Sequence, residues 1–276
     1  KRMGHAGALI SGGADTAVRI RGHRRVIEAG VPVNIEADSL NAMLLAPDAE
    51  DVTYDAFINH VQRELTQKTG QKCTATRRIL VPADMIDEVI EDLGEKIGPT
   101  IVGDPANASV RMGPLATKTQ YESAREGLAS LMEHADVVIG DPARTDFVDV
   151  PAGQGYFVDP VILKARDAHA AGPVHETEVF GPVSTLLPYD GTVSDAINIM
   201  RRGQGSLVGS IYGDDRSFLR DSILGLGAWH GRLVVTDAKV AAKALAPGLV
   251  MPHMMHGGPG RAGGGERRGR LGQPAG

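Results

Sequence analysis

Two side chains in this sequence stand where they could make and break bonds. Cys73 is the only cysteine among 276 residues. It lies in Gly70-Gln71-Lys72-Cys73-Thr74-Ala75-Thr76-Arg77, between the glycine closing a helical pattern and the start of an apolar strand. Its neighbours are small and polar, with Lys72, Arg77 and Arg78 close in sequence. Cations and free main-chain N–H groups favour thiolate over thiol, so this setting suits a nucleophile. A lone cysteine can equally be a small buried hydrophobe, and that role stays open. A nucleophile that becomes a thioester needs a base to deliver water later. Glu36, at the end of the apolar run Val33-Asn34-Ile35, is the candidate, since ligands gather at the carboxyl ends of strands in α/β proteins. A solvated strand-end acid or helix cap would look the same, and Asp38 could be the cap instead.

Other constellations carry less chemistry. Ser11-Gly12-Gly13-Ala14-Asp15 follows a short apolar run and precedes a helical one, so its N–H groups could face a phosphate. Gly258-Pro259-Gly260-Arg261-Ala262-Gly263 matches G-x-G-x-x-G, but no strand–helix context or downstream acid accompanies it. The nine histidines show no metal-binding spacing. His253 and His256, among Pro252 and glycines, read as loop residues, and no metal site is expected. There is no G-x-S-x-G nucleophile elbow.

The elements that must hold these residues alternate along the chain. Helical spacing covers Tyr54 to Thr69, Ile86 to Ile97, Lys118 to Glu133, Val193 to Arg202 and Ser217 to Leu226. Strands are expected at 8–10, 31–35, 78–82, 137–139, 157–158, 161–163, 183–188, 207–212 and 232–235, with a short basic helix between the first two. Such alternation predicts an α/β fold with a mostly parallel sheet and flanking helices. Three regions follow: 1–41, too short to bury a core alone and expected to be the end of a domain lying upstream; 42–250, the main domain; and 251–276, a Gly/Arg-rich tail expected to be disordered. The formal net charge of −5 argues against a nucleic-acid footprint, and no apolar run is long enough to span a membrane. One cysteine excludes an internal disulfide and fits a reducing, cytoplasmic compartment.

Taken together, Ile35-Glu36-Ala37-Asp38-Ser39-Leu40-Asn41 and Gly70-Gln71-Lys72-Cys73-Thr74-Ala75 resemble the glutamate and cysteine signatures of the aldehyde dehydrogenase superfamily. Ile10-Ser11-Gly12-Gly13, Val102-Gly103-Asp104-Pro105 with Met112-Gly113-Pro114-Leu115, Glu176-Thr177-Glu178-Val179-Phe180-Gly181-Pro182 and His256-Gly257-Gly258-Pro259-Gly260-Arg261 resemble further family segments, in family order. Asp38-Ser39 stands where the family usually has two glycines. With the glycine-rich ending, this is similar to the branch that oxidises coenzyme A-linked semialdehydes in aromatic catabolism, including the dehydrogenase part of bifunctional phenylacetate-degradation proteins.

The resemblance implies an aldehyde dehydrogenase-like catalytic domain with a remnant of the dinucleotide-binding domain. It implies catalytic Cys73 and Glu36, with NAD or NADP met by Ser11, Gly12, Gly13, Glu178 and Phe180. An aldehyde, in that branch a coenzyme A-linked one, would be the substrate. The full-length protein would be a homo-oligomer, and this portion alone would turn over little. Two alternatives stay open: a cofactor-independent thiol esterase or acyl transferase, and a non-catalytic fragment that pairs with whole subunits.

Overall fold

The computed structural model describes residues 8–263 apart from Ala171, His253 and Met255. Strand β1 (Ala8–Ser11), helices α1 (Ala14–Arg21) and α2 (Arg24–Glu28), and strand β2 (Val33–Glu36) come first. β1 and β2 pair in parallel as a separate two-stranded sheet, with Ser11 opposite Glu36. The expected single basic helix is two helices, because the His23 ring accepts the Arg25 N–H and starts a new one.

The rest of the chain runs β3 (Ala42–Leu45), α3 (Asp51–Thr66), β4 (Arg78–Pro82), α4 (Ile86–Ile97), α5 (Lys118–Met132), β5 (Ala135–Ile139), β6 (Val161–Ala165), α6 (Gly172–Glu176), β7 (Val183–Tyr189), α7 (Val193–Arg201), β8 (Ser206–Tyr212), α8 (Arg216–Leu226) and β9 (His230–Thr236). A seven-stranded sheet is ordered β5-β6-β7-β4-β3-β8-β9, parallel throughout except for β5 against β6. This is the expected α/β class with a mostly parallel sheet and flanking helices.

Burial on both sheet faces explains the central strands. β3 and β4 are buried at every position, as parallel strands covered by helices must be. Alternate residues serve opposite cores. Ile79 and Val81 join Phe57, Val61 and Leu65 of α3 and Val89 and Leu93 of α4, whereas Leu80 joins Leu128 of α5 and Ile199 of α7. Each such side chain contributes about 2 kcal/mol of burial.

Two expectations about the elements fail. Phe157-Val158 is not a strand; it precedes Pro160, which has no N–H for a ladder, and Phe157 instead stacks on Phe147 at 5.4 Å between centroids. The expected disordered tail from 251 is ordered through much of its described part. Arg261 donates its N–H to Gln204 O (3.1 Å), Gly258 to Gly263 O (2.8 Å), and Ala262 is fully buried beside Leu207 and Val208. Small residues let this segment approach β8 closely: a Cβ on Gly258 would sit 2.4 Å from Ser206 O. Residues 264–276, where Arg267, Arg268 and Arg270 fall, lie outside the described residues. Among the described residues no helix is long and apolar enough to cross a membrane.

Candidate active site

The carboxyl end of β2 meets the amino edge of the large sheet. Glu36 ends β2, Asn41 precedes β3, the Cys73 turn precedes β4, Glu178 precedes β7 and Ser206 starts β8. The rule about carboxyl ends of strands therefore finds Glu36 but not Cys73, which arrives from the opposite edge of a different sheet.

The turn bearing Cys73 is built before the sulfur is placed. After α3 the chain takes left-handed conformations at Lys68 (φ 55°), Thr69 (φ 55°) and Gly70 (φ 66°). Gly70 has no substitute, since a Cβ there would lie 2.1 Å from Gly181 O. The left-handed Lys68 and Thr69 cost roughly 1–2 kcal/mol each, and Thr69 answers with a hydroxyl bond to Gly113 O at 3.0 Å.

Buried Asn41 then clamps the turn. Its Nδ2 donates to Cys73 O and Ala75 O, both at 2.8 Å, while its Oδ1 accepts from Val208 N (2.9 Å) and Ser39 Oγ (2.8 Å). Buried Arg77 adds Gly181 O (2.8 Å) and Gly70 O (2.9 Å), and Thr74 Oγ1 donates to Gly248 O (2.7 Å). Ser39, where the resembling family has glycine, accepts Leu207 N on its hydroxyl at 2.9 Å and so ties the Glu36 segment to β8.

At the centre Cys73 Sγ lies 3.3 Å from His256 Nε2, and that nitrogen lies 3.0 Å from Glu36 Oε1. The three side-chain atoms fall within 4.8 Å of one another. The thiol is half-buried, and burial first, then the charges of Glu36 and Glu178, push its pKa above the ordinary thiol value. The main-chain N–H groups of Cys73 and Thr74 pull the other way.

The expectation that neighbouring cations would favour the thiolate is thus overturned. Lys72 Nζ reaches away to buried Glu64 at 2.9 Å, Arg77 faces Glu178, and Arg78 is buried against Leu40 O and Met200 O. Nearness in sequence put three cations beside the sulfur; carboxylates and carbonyls elsewhere claim all three.

The candidate cofactor residues lie around this centre. Ser11, Gly12 and Gly13 are exposed, and nothing stands within 4 Å of a Cβ built on either glycine. Gly12 N donates to Glu36 O at 3.1 Å, so this turn adjoins the candidate base. Asp38 Oδ1 already accepts the Ala14 N–H at the start of α1 (3.1 Å), where a phosphate would otherwise be met. Glu178 is 8% exposed at its side chain, with Oε2 accepting Ser39 N (3.0 Å) and Oε1 facing Arg77. Burial pushes its pKa up against the pull of Arg77 and of that N–H. Phe180 is half-buried, its ring 5.6 Å from the Arg77 guanidinium carbon.

Sequence reasoning missed His256, Asn41 and Arg77 as parts of the site. Asn41 ends the quoted glutamate signature and Arg77 lies two residues past the quoted cysteine signature, but nothing local shows what they hold. His256 comes from 183 residues beyond Cys73 and carries no spacing signal at all.

A family model described as "Aldehyde dehydrogenase family" matches residues 7–226. The chain is 45% identical over 252 residues, 91% of its length, to the 3,4-dehydroadipyl-CoA semialdehyde dehydrogenase of Aromatoleum evansii, covering 49% of that protein. It is 35% identical to Protein MaoC of Klebsiella aerogenes over 58% of this chain and 46% of that one. The chain spans about half the length of these curated relatives. Among solved structures, an aldehyde dehydrogenase from Pseudomonas syringae in complex with NAD+ and octanal superposes with a TM-score of 0.75 at 23% identity, over 92% of this chain and 48% of that one. A lactaldehyde dehydrogenase gives 0.76 at 23%, over 93% and 49%.

Proposed function

The chain belongs to the aldehyde dehydrogenase family, and from that premise we propose that it carries the thiol-bearing part of an enzyme oxidising an aldehyde to a carboxylic acid. One observation carries this reading: β2 and the turn before β4 bring Glu36 and Cys73, 37 residues apart, to either side of one imidazole nitrogen. Cys73 Sγ attacks the aldehyde carbon, and the main-chain N–H groups of Cys73 and Thr74, which point at the sulfur, are the donors available to the developing oxyanion. Such a donor contributes about 3 kcal/mol in a transition state. That adduct would become a thioester only by giving its hydride to a bound nicotinamide; Glu36 takes a proton from water, the hydroxide attacks the Cys73 thioester, and the sulfur leaves as the acid is released.

The residues present suit the nicotinamide end of NAD or NADP. The open turn Ser11-Gly12-Gly13 adjoins Glu36, and half-buried Phe180, two residues after Glu178, meets the Arg77 guanidinium. Glu178 holds Ser39 N and Arg77, and its remaining lone pairs would be the ones to meet the ribose. When bound, the cofactor supplies the hydride acceptor. Asp38 at the start of α1 disfavours a phosphate at that spot, so the phosphates belong elsewhere.

The substrate is a coenzyme A-linked semialdehyde, as the name of the 45% identical relative suggests. Aromatic-compound catabolism, such as that of phenylacetate, would supply it. The setting is the reducing cytoplasm, in an assembly of like subunits. Regions 1–41 and 42–250 act as the cofactor-binding and thiol parts of that site.

A second reading rests on the same trio. Thiol, imidazole and carboxylate adjoin without any cofactor, which suits slow hydrolysis of activated esters.

The test is to mix the chain with NAD+ or NADP+ and a coenzyme A-linked semialdehyde, following both the acid and reduced nicotinamide. Equal amounts of the two, both lost in Cys73→Ser, are expected. Acid formed without reduced nicotinamide, or formed equally by Cys73→Ser, overturns the first reading.

A further inference from the structure

We propose that His256 is a catalytic residue that accepts the Cys73 thiol proton and holds it against Glu36. This deepens the function proposed above and rests on it. The geometry names the acceptor. His256 Nε2 is 3.3 Å from the sulfur and 3.0 Å from Glu36 Oε1.

One nitrogen cannot receive a proton from sulfur and donate one to a carboxylate at the same moment. The two contacts are therefore the start and the end of one transfer. With the lone pair on Nε2, the S–H bond breaks and an N–H bond forms. The resulting imidazolium keeps that proton in a hydrogen bond to the Glu36 carboxylate, and the electron pair stays on sulfur for attack on a carbonyl carbon. When the thioester is hydrolysed and the thiolate leaves, the same nitrogen returns the proton.

The other groups facing the sulfur cannot take this part. Arg77 and Arg232 are cations with no lone pair to offer, and both are engaged, Arg77 with Glu178 and Arg232 with Pro247 O and Leu249 O. Lys72 is ion-paired with Glu64. Glu178 is held by Ser39 N and Arg77. Asp38 meets Ala14 N and the Arg261 guanidinium. Burial and two carboxylates oppose a bare thiolate, so ionisation needs a partner that becomes positive as the sulfur becomes negative. The segment carrying His256 is anchored for that purpose: Gly257 O packs against Gly231, and Gly258 and Arg261 are hydrogen-bonded just beyond.

Because Cys73 is the only cysteine, alkylation of the whole chain reads this sulfur alone. The experiment measures the iodoacetamide rate from about pH 5 to about pH 10. EDTA is present so that no metal masks the sulfur. Wild type should show an acid-side shoulder below the main thiol rise. His256→Phe should remove the shoulder, slowing reaction near neutral pH about tenfold or more while leaving the alkaline plateau unchanged. Glu36→Gln should shrink the shoulder. A merely structural histidine would instead move the alkaline plateau. A single thiol rise that is the same in wild type and His256→Phe overturns the inference and leaves the dehydrogenase reading standing. A sulfur that stays unreactive at every pH overturns both.

Discussion

The turn carrying Cys73 and the turn at Ser11-Gly12-Gly13 both adjoin Glu36, yet they are held in opposite ways. Around Cys73, buried Asn41 and Arg77 and the hydroxyl of Thr74 fix carbonyls from five separate positions. The glycine turn is exposed, with open space on both glycines. Gly70 and Gly13 condense the contrast. The first is glycine because a left-handed backbone presses on Gly181 O; the second leaves room that nothing among the described residues fills. The Cys73 turn is therefore held by the chain's own buried groups, whereas the glycine turn is an open surface beside Glu36.

The largest effect should come from the sulfur itself. Cys73→Ala should lower release of nitrophenol from an activated ester by about 10³-fold or more, while Gly12→Ala should change it little. Equal rates in Cys73→Ala would break the comparison at its root. Next comes the clamp. Asn41→Ala strands Cys73 O, Ala75 O and Val208 N inside the protein, and urea unfolding should register a loss of about 3–5 kcal/mol.

A third effect concerns acid. Burial, with Arg78 second, pulls His175 down to about 4, and burial pulls His230 down to about 3. An unfolded imidazole binds its proton near 6.5, so between these values the unfolded chain holds more protons than the folded one. Stability should fall as pH drops from about 6.5 and level off below the folded values, with His175 alone accounting for about 3 kcal/mol. His175→Gln should flatten part of that slope in urea titrations at several pH values.

The smallest effect sharpens the contrast. Gly13→Ala should shift stability by less than about 0.5 kcal/mol, whereas Gly70→Ala should cost several times that, with thermal unfolding as the measurement. A large loss from Gly13→Ala would show a turn already packed rather than open.

What could be read from the sequence follows the range of the interactions. Arg78–Pro82, Ile86–Ile97 and the later strands declare themselves because local apolar patterns match their burial. β3 escaped notice because four residues buried on both faces give no alternation. Phe157-Val158 misled because β-forming residues ahead of a proline can pack without joining a ladder. Cys73 and Glu36 were legible through residue type and the end of a strand pattern. Which charges surround the sulfur was not, because Lys72, Arg77 and Arg78 find partners at positions 64, 178 and 200, set only by the closed fold. His256 lay hidden for the same reason: glycines and a proline describe a loop, but not the sulfur against which it rests.

The central claim is that Cys73 carries an acyl group that Glu36 helps to discharge. Intact-mass measurement of the chain after mixing with p-nitrophenyl acetate tests it most directly. The account predicts one acetyl group, mapped to Cys73, that is short-lived in wild type and accumulates in Glu36→Gln. An acetyl group found elsewhere, or one whose lifetime on Cys73 is the same in both proteins, would contradict it.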